Sequence, residues 1–261
     1  MFVSSIIMVV ILYCHDFRSD DQKGLNETMD FEKEYLDAVL VTAGLLFMFL
    51  YHLFLLYQYI HDATKTSIGY ENKDKETWVQ KILKVTEGTN DDAVGDNVST
   101  GLSVISSNTS ATMTLASISL TLCAVIGVWI ASSTNKFFPL EMVYGNTSES
   151  IISIKYLCLL SCFLLAFSFF VQSARHFVHS NYLLSTPGAT KEEDVEKVQK
   201  AVERGSIFWS LGLRALYFAL NFLLWFFGPI PMCACSIVMV FVLYCHDFRK
   251  DSKQSDSRKK G

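Results

Sequence analysis

Proline, charge and familiar catalytic motifs are all scarce in this chain. Only 4 of its 261 residues are proline, and 18% are charged. The basic residues are scattered between apolar runs instead of forming one soluble face, which argues against a nucleic-acid-binding protein. The sequence contains no phosphate-binding loop, no nucleophile elbow and no HExxH motif, so the enzyme classes that those motifs mark find no support.

Apolar residues dominate instead. Hydrophobic residues make up 51% of the chain, and 20 residues are Phe. Several apolar runs reach the roughly 20 residues that a helix needs to cross the hydrocarbon core of a bilayer. This excludes an ordinary soluble domain and predicts an all-α, polytopic transmembrane helix bundle, with the lipid bilayer as its first partner.

The cysteines do not indicate a disulfide framework, because all of them lie inside apolar runs or at the ends of such runs. They are Cys14, Cys123, Cys158, Cys162, Cys233, Cys235 and Cys245. The Cys233-Ala-Cys235 pair lacks the matching second pair that a zinc site needs. We therefore predict neither a bound metal nor a cofactor.

Five core spans are predicted, near residues 36–60, 112–131, 151–171, 207–227 and 230–244. The last two share one apolar run that is interrupted at Gly228-Pro229, where proline removes a backbone donor and disfavours helix in the residue before it. A re-entrant segment, or a single crossing of this run, is the alternative. Basic residues alternate between rich and poor in successive loops, which fits two crossings if Gly228-Pro229 turns on the non-cytoplasmic side. The expected membrane domain, residues 29–251, has its amino end outside and a basic tail, residues 252–261, in the cytosol.

The connecting segments carry three further expectations. Residues 191–204 have acidic residues first and basic ones last, with valines at helical spacing, which predicts a short amphipathic cytosolic helix. Residues 87–110 are rich in Asp, Asn, Gly, Ser and Thr and predict a flexible loop. Asn146 is the core sequon that faces the glycosylating side in the five-span arrangement, and it lies close to the bilayer.

Ionisable residues inside spans are costly and are therefore candidates for function. His52 in the first span and Arg214 in the fourth lie about 12 Å from the cytosolic end of their helices, at 1.5 Å per residue. Two positive groups would not pair, so we expect a neutral His52, or an anion or a carboxylate such as Asp247 between them. The alternative is that Arg214 snorkels to the headgroups, which we favour for this residue, and that His52 hydrogen-bonds a backbone carbonyl, which we leave open. Asn221 in the fourth span is a third candidate, or simply an interhelical hydrogen bond.

A second polar cluster is predicted at the cytosolic rim of the bundle. Its members are His61, Asp62, Arg175, His176, His179, His246 and Asp247. Such histidines and carboxylates could bind a transition metal, and His176 and His179 share a face of a continued helix. A single HxxH motif falls short of the several His-rich boxes of membrane di-iron oxygenases, so histidines that face the headgroups are the favoured interpretation. Near the outer face, Lys155 and Asp37 are expected to form a structural, interfacial pair.

A series of short motifs along the chain indicates a family. They are YLDAVLV near Tyr35, the Tyr51-His52 pair, TSIG at residues 66–69, QSARHF at 172–177, LLWFFGP at 223–229 and VLYCHDF at 242–248. Together they resemble the plant family catalogued as domain of unknown function 599, over residues 31 to about 251. The chain departs from the family at Ser106-Ser107-Asn108, where similar chains often show a basic residue and Asn. The resemblance implies a plant integral membrane protein and no activity, because the family has none assigned.

The stretch LYCHDFR occurs twice, at residues 12–18 and 243–249. Residues 5–18 match residues 236–249 at eleven of fourteen positions. Members of the family usually begin a few residues before the YLD motif, where this chain has Met29. Residues 1–28 are therefore interpreted as the last helix of a second copy, joined by a fused gene model. A structural repeat that adds a sixth span is the alternative.

Three functions compete on this sequence. Phe-rich spans with few charges and two sizeable cytosolic loops favour a membrane scaffold or interaction protein, with a homo-oligomer or a cytosolic protein as partner. His52, Arg214 and the helix break favour a small ion or solute channel or transporter. A metalloenzyme that uses the cytosolic rim is the weakest of the three. We therefore predict a non-enzymatic membrane protein of the plasma membrane or an endomembrane.

Overall fold

The computed structural model describes residues 26–84, 91–132, 149–186 and 192–248. Six α-helices lie in these ranges: α1 (Asn26–His61), α2 (Ser67–Lys84), α3 (Asp91–Ala131), α4 (Glu149–Leu184), α5 (Glu192–Trp225) and α6 (Pro229–Asp247). A 3-10 turn, Ala63–Lys65, joins α1 to α2. The described residues contain no strand, so the predicted all-α fold is confirmed. The amino-terminal copy of the repeat, the sequon Asn146 and the basic tail lie outside the described residues.

Five of the helices, all except α2, are long and apolar enough to cross a membrane. Their number agrees with the five core spans that the sequence predicts, and the helices fit a multi-pass membrane protein. The last apolar run forms two helices, because α5 ends at Trp225 and α6 begins at Pro229. Gly228 between them has a φ of 131°, a backbone conformation that glycine adopts without a Cβ clash. Proline in the first turn of α6 costs no hydrogen bond, since the N–H groups there have no intrahelical partner.

The flexible loop predicted at residues 87–110 is wrong over residues 91–110, because α3 is helical from Asp91 onward. Residues 87–90 lie outside the described residues. Ile105 is buried in a hydrophobic cluster, and Val98 and Leu102 pack against the same cluster. The spacings of four and three place these side chains on one face of the helix. Their burial outweighs the weak helix propensity of the neighbouring Asp, Asn, Gly and Ser residues.

The helix predicted at residues 191–204 is confirmed from Glu192 onward, but its predicted short length is wrong. This segment is the first part of α5, which continues without a break to Trp225. Val198, Val202, Gly205 and Gly212 are all buried along it. The buried face of α5 therefore continues from its polar first part into its apolar part.

The ends of four helices pack around a hydrophobic core of their own, beyond the most apolar segments; we call this part the platform. Its buried side chains are Val79, Leu83, Ile105, Phe177, Leu184, Val195, Val198 and Val202. The 41 residues of α3 extend about 62 Å at 1.5 Å per residue, roughly twice the ~30 Å of a hydrocarbon core. Exposed ion pairs such as Glu196–Lys200 lie on the outer surface of the platform. The bundle therefore has a layer with an apolar surface and a layer with a polar surface.

Helices α4 and α5 pack through aromatic rings that lie on glycines. A Cβ at Gly205 would come within 2.8 Å of the Phe177 ring, and one at Gly212 within 2.6 Å of the Phe170 ring. Gly205 and Gly212 are seven residues apart on α5, and Phe170 and Phe177 are seven residues apart on α4. The two contacts therefore repeat along one face of each helix. The Ser173 hydroxyl donates a buried hydrogen bond of 2.7 Å to the Gly205 carbonyl at the same contact.

Helix α1 packs against α6, which contacts α5 in turn. Met48 and Tyr51 of α1 form one buried cluster with Val240 and Leu243 of α6. A Cβ at Gly44 would lie 3.0 Å from the Ser236 hydroxyl, so the two helices approach closely. This three-helix seam contains the intramembrane polar residues.

Candidate functional site

Asp247 is the centre of a polar network between α1, α5 and α6. Arg214 Nη2 lies 3.3 Å from Oδ1 and 3.2 Å from Oδ2 of Asp247. The Tyr51 hydroxyl donates to Oδ2 over 2.6 Å. The carboxylate side chain is only 4% exposed. One buried carboxylate therefore joins residues of three helices that are distant in the sequence.

The position of Asp247 in α6 explains why it needs a cation. It is the last residue of the helix, where the unpaired carbonyl groups leave a partial negative charge. A carboxylate is disfavoured there, and burial adds a desolvation cost. Arg214 supplies the compensating positive charge, and its side chain is 13% exposed. Arg214 therefore lies beside a carboxylate, while the favoured interpretation, in which it snorkels to the headgroups, stays a prediction.

His52 lies beside this network and takes part in a local hydrogen bond. Its Nδ1 atom is 2.7 Å from the Met48 carbonyl oxygen. Because a carbonyl can only accept, Nδ1 carries the proton, and Nε2 of the neutral ring is an acceptor. The ring packs against Phe218, with 5.0 Å between centroids. Nε2 is buried and has no partner among the described residues. The hydrogen bond to a backbone carbonyl agrees with the sequence-based alternative for this residue.

Asn221 is fully buried at the same seam. Its Nδ2 atom donates to the Met48 sulfur, so Asn221 connects α5 to α1. Its Oδ1 atom, like Nη1 of Arg214, is buried without a partner in the described part of the chain. The three intramembrane candidates therefore lie along one seam, and each keeps one uncompensated polar atom.

A second buried polar group lies toward the other end of the seam. Trp225 Nε1 donates to Asp37 Oδ1 over 3.3 Å, and Lys155 Nζ donates to the Trp225 carbonyl over 3.2 Å. The Lys155 ammonium also lies 5.1 Å from the centre of the Trp225 ring. Asp37 and Lys155 are 3% and 2% exposed. The expected interfacial pair is therefore buried in the bundle, with Trp225 between its two charges.

The residues of the predicted rim are only partly brought together. His246 is 71% exposed and its Nδ1 atom lies 3.7 Å from Asp247. His61 stacks on Tyr57, and Asp62 forms an ion pair of 2.8 Å with Lys65. This carboxylate raises the pKa of the Lys65 ammonium by accepting its hydrogen bond.

The remaining rim residues lie on α4. His176 stacks on Phe208, while Arg175 and His179 are exposed. Across residues 26–84, 91–132, 149–186 and 192–248, no group of three His, Cys, Asp or Glu side chains could hold a metal ion. The rim is therefore a set of separate local contacts in this part of the chain.

Tyr51 is the network residue that sequence reasoning did not select. Its hydroxyl bonds a carboxylate 196 residues further along the chain, a distance that no local pattern reveals. Two motifs did contain the signal: the Tyr51-His52 pair and the VLYCHDF stretch that includes Asp247. A polar residue in each of two family motifs was a reason to pair them.

No curated protein and no solved structure matches this chain. A family model described as protein of unknown function, DUF599, matches residues 39–252. The matched range covers most of the chain and contains all of α2 to α6 and the network around Asp247. It also contains Trp225 and Lys155, whereas their partner Asp37 lies just before it. The chain therefore belongs to the DUF599 family.

Proposed function

We propose that this protein is a non-enzymatic membrane scaffold whose platform holds a partner protein at the membrane surface. The observation that carries the proposal is the platform core, in which eight buried apolar side chains of α2, α3, α4 and α5 pack together. A surface built on such a core is rigid before a partner arrives, which lowers the entropic cost of binding.

The polar network in the membrane layer supports the same proposal. Arg214 pairs with Asp247, and Tyr51 donates a hydrogen bond to the same carboxylate, so the network joins α1, α5 and α6. A paired network of this kind specifies one arrangement of the helices, because any shift would leave a buried charge uncompensated. The membrane layer then acts as a fixed base for the platform.

The exposed face of α2 is the part of the platform that we propose as the contact surface. An open groove of about 340 Å³ lies there, lined by Glu71, Asp74, Lys75 and Trp78. A half-buried tryptophan beside two carboxylates suits a basic peptide segment, since aromatic and charged groups contribute strongly to binding at interfaces.

Proximity labelling with an enzyme fused to the carboxyl end tests this role. We expect a reproducible set of labelled proteins, and a marked loss of part of that set in the Glu71→Lys/Asp74→Lys variant. The matched control is Glu192→Lys/Glu193→Lys, which reverses two exposed acidic residues at the start of α5. A profile equal to that of an inert multi-pass protein, or equal losses in both variants, would contradict the proposal.

Transport is the second candidate, and one observation favours it. His52 Nε2 and Arg214 Nη1 are buried without partners in the described residues, so an acceptor and a donor are available near Asp247. Flux of protons and small ions into liposomes that contain the purified protein tests this function. Flux that Arg214→Leu abolishes would favour transport over the scaffold. Liposomes that stay as tight as protein-free ones would remove it.

A further inference from the structure

A small cavity of about 180 Å³ lies where α1 leaves the apolar layer. Its walls include Tyr59 and Ala63 from the end of α1 and the following turn, Asn72 and Lys73 from α2, and Gln199 and Glu203 from α5. Three separate parts of the chain therefore enclose one space, and most of the named wall residues are polar or charged.

The TSIG motif builds this cavity by fixing α2 against the turn. The Thr66 hydroxyl donates to the Ala63 carbonyl over 2.9 Å and accepts from the Gly69 N–H over 3.2 Å. This is the arrangement of a helix N-cap, which satisfies a free N–H of the first turn. A Cβ at Gly69 would lie 1.9 Å from the Ala63 oxygen, so only glycine permits this close approach.

The charged residues around the cavity divide into committed and uncommitted ones. Lys75 donates to Ser206 and to Glu71, and Glu76 accepts from Gln80 over 3.4 Å. Within the described ranges, by contrast, no ion pair or side-chain hydrogen bond involves the Lys73 ammonium or the Glu203 carboxylate. The cavity thus has one unused charge of each sign, one on α2 and one on α5.

Asn72 supplies a further unused group. It is 9% exposed, and neither the nitrogen nor the oxygen of its amide has a partner in the described part of the chain. A buried amide that has lost its hydrogen bonds to water without gaining others is destabilising, so Asn72 needs an explanation. A side-chain rotation toward the cavity would let a ligand bond both atoms, provided that the ligand carries a donor and an acceptor.

The level of the cavity indicates where its ligand comes from. The apolar part of α1 extends to His61, and Tyr59 and Ala63 flank that end. This is the level of the headgroups, which occupy a layer of about 5–8 Å on each side of the hydrocarbon core. A cavity at this level is within reach of phospholipid headgroups.

We propose that this cavity binds the phosphoethanolamine group of a membrane phospholipid. The phosphate pairs with Lys73, and the primary ammonium pairs with Glu203. The volume of about 180 Å³ suits a compact headgroup and not a drug-sized ligand, whose pockets are about 300–1,000 Å³. This site goes beyond the scaffold role and does not depend on it.

The chemistry of the walls gives a clear order of lipids. A phosphocholine group has the same charges but no N–H donor, so it would leave the Glu203 and Asn72 oxygens unbonded. A phosphoglycerol group has the phosphate but no cation, so Glu203 would stay uncompensated beside a second anion. Phosphatidylethanolamine is therefore expected to bind best.

The test uses the full-length protein, purified from vesicles of phosphatidylcholine that contain an equal minor share of phosphatidylethanolamine or phosphatidylglycerol. Native mass spectrometry counts the lipids that stay bound. Lys73→Met and Glu203→Gln each remove one of the two proposed contacts. Their matched controls are Lys81→Met and Glu193→Gln, exposed residues of α2 and α5 that do not line the cavity.

We expect the unmodified protein to retain phosphatidylethanolamine. Either cavity variant should lower the retained amount about tenfold or more, because a hydrogen bond to a charged group is lost, and the control variants should leave it unchanged. Binding of soluble glycerophosphoethanolamine with the same response to the variants, but no retained lipid, would support the headgroup chemistry and assign it to a soluble ligand. Equal retention of all three lipids, or variants that behave like their controls, would overturn the proposal. Neither outcome depends on proximity labelling, so this site and the scaffold role fail independently.

Discussion

The ion pair between Arg214 and Asp247 offers the sharpest perturbation of this bundle. Replacing Arg214 by Met removes the cation and keeps much of the apolar stem. The Asp247 carboxylate is then left in a site that is 4% exposed, where the Tyr51 hydroxyl still donates to it over 2.6 Å and His246 Nδ1 lies 3.7 Å away. Replacing Asp247 by Leu instead leaves the Arg214 guanidinium without its anion.

The expected magnitude follows from burial. Removing one partner of a buried ion pair costs about 3–5 kcal/mol, because the remaining charge is uncompensated. At about 2–4 °C per kcal/mol for a chain of this size class, each single variant should lower Tm by roughly 6–20 °C. The double variant Arg214→Met/Asp247→Leu buries no charge, and it should lose only the Tyr51 hydrogen bond, about 1–3 kcal/mol.

The assay is thermal unfolding of the purified protein in one detergent, followed by the fraction that stays monodisperse. The exposed pair Glu196–Lys200 provides a matched control, since its N–O distance of 2.6 Å is shorter but its side chains are about 60% exposed. Glu196→Gln and Lys200→Met should each change stability by less than about 1 kcal/mol. The contrast tests burial, not distance, as the source of the effect.

Additive losses would refute this reasoning. If the double variant lost as much as the sum of the two single variants, the two side chains would act independently and the pair would not exist in the folded protein. A loss at Arg214 no larger than at Lys200 would have the same meaning. In a coupled pair, the double variant is more stable than either single variant.

Three further predictions concern single contacts. Tyr51→Phe removes a hydrogen bond to a carboxylate and should cost about 1.5–3 kcal/mol in the same thermal assay; no change would show that the hydroxyl is solvated elsewhere. Gly212→Ala places a methyl group 2.6 Å from the buried Phe170 ring and should lower the free energy of unfolding by about 1–3 kcal/mol. A methyl group at the control position Gly127 meets nothing within 4 Å, so Gly127→Ala should raise it by up to about 1 kcal/mol. Equal effects would contradict the packing of α4 on α5. Asn72→Leu should raise stability by about 1–3 kcal/mol in lipid-free detergent, because it removes two unpaired polar atoms, and should weaken phosphatidylethanolamine retention; a stability loss would mean that the amide is bonded in the protein alone.

Local patterns predicted the class of this fold because each pattern has its own physical cause. A run of about 20 apolar residues is stable as a helix in lipid whatever surrounds it, since all its backbone groups bond within the segment. Glycine followed by proline breaks a helix through the backbone of those two residues alone, so the break can be predicted without knowing the fold. Helices α5 and α6 do separate at Gly228-Pro229. The composition, the apolar runs and this break together predict five candidate spans.

Residues 91–110 show that local composition alone does not decide the secondary structure. Their Asp, Asn, Gly and Ser content favours a loop, yet Val98, Leu102 and Ile105 gain enough contact with the platform core to keep the segment helical. Helix propensities differ by only about 1 kcal/mol or less among these residues, so tertiary packing decides the outcome. The same packing makes the amphipathic segment at the start of α5 part of one long helix.

The sequence by itself determined that His52, Arg214, Asn221 and Asp247 are polar residues placed within or at the ends of apolar helices. Only the tertiary structure decided that Arg214 meets Asp247 and that Tyr51 completes the network. Those contacts depend on which helices are neighbours and how each is rotated about its axis, and both are set by the packing of apolar side chains over the whole bundle. The cavity beside Asn72 has the same origin, because its walls come from α1, α2 and α5, which no stretch of the sequence brings together.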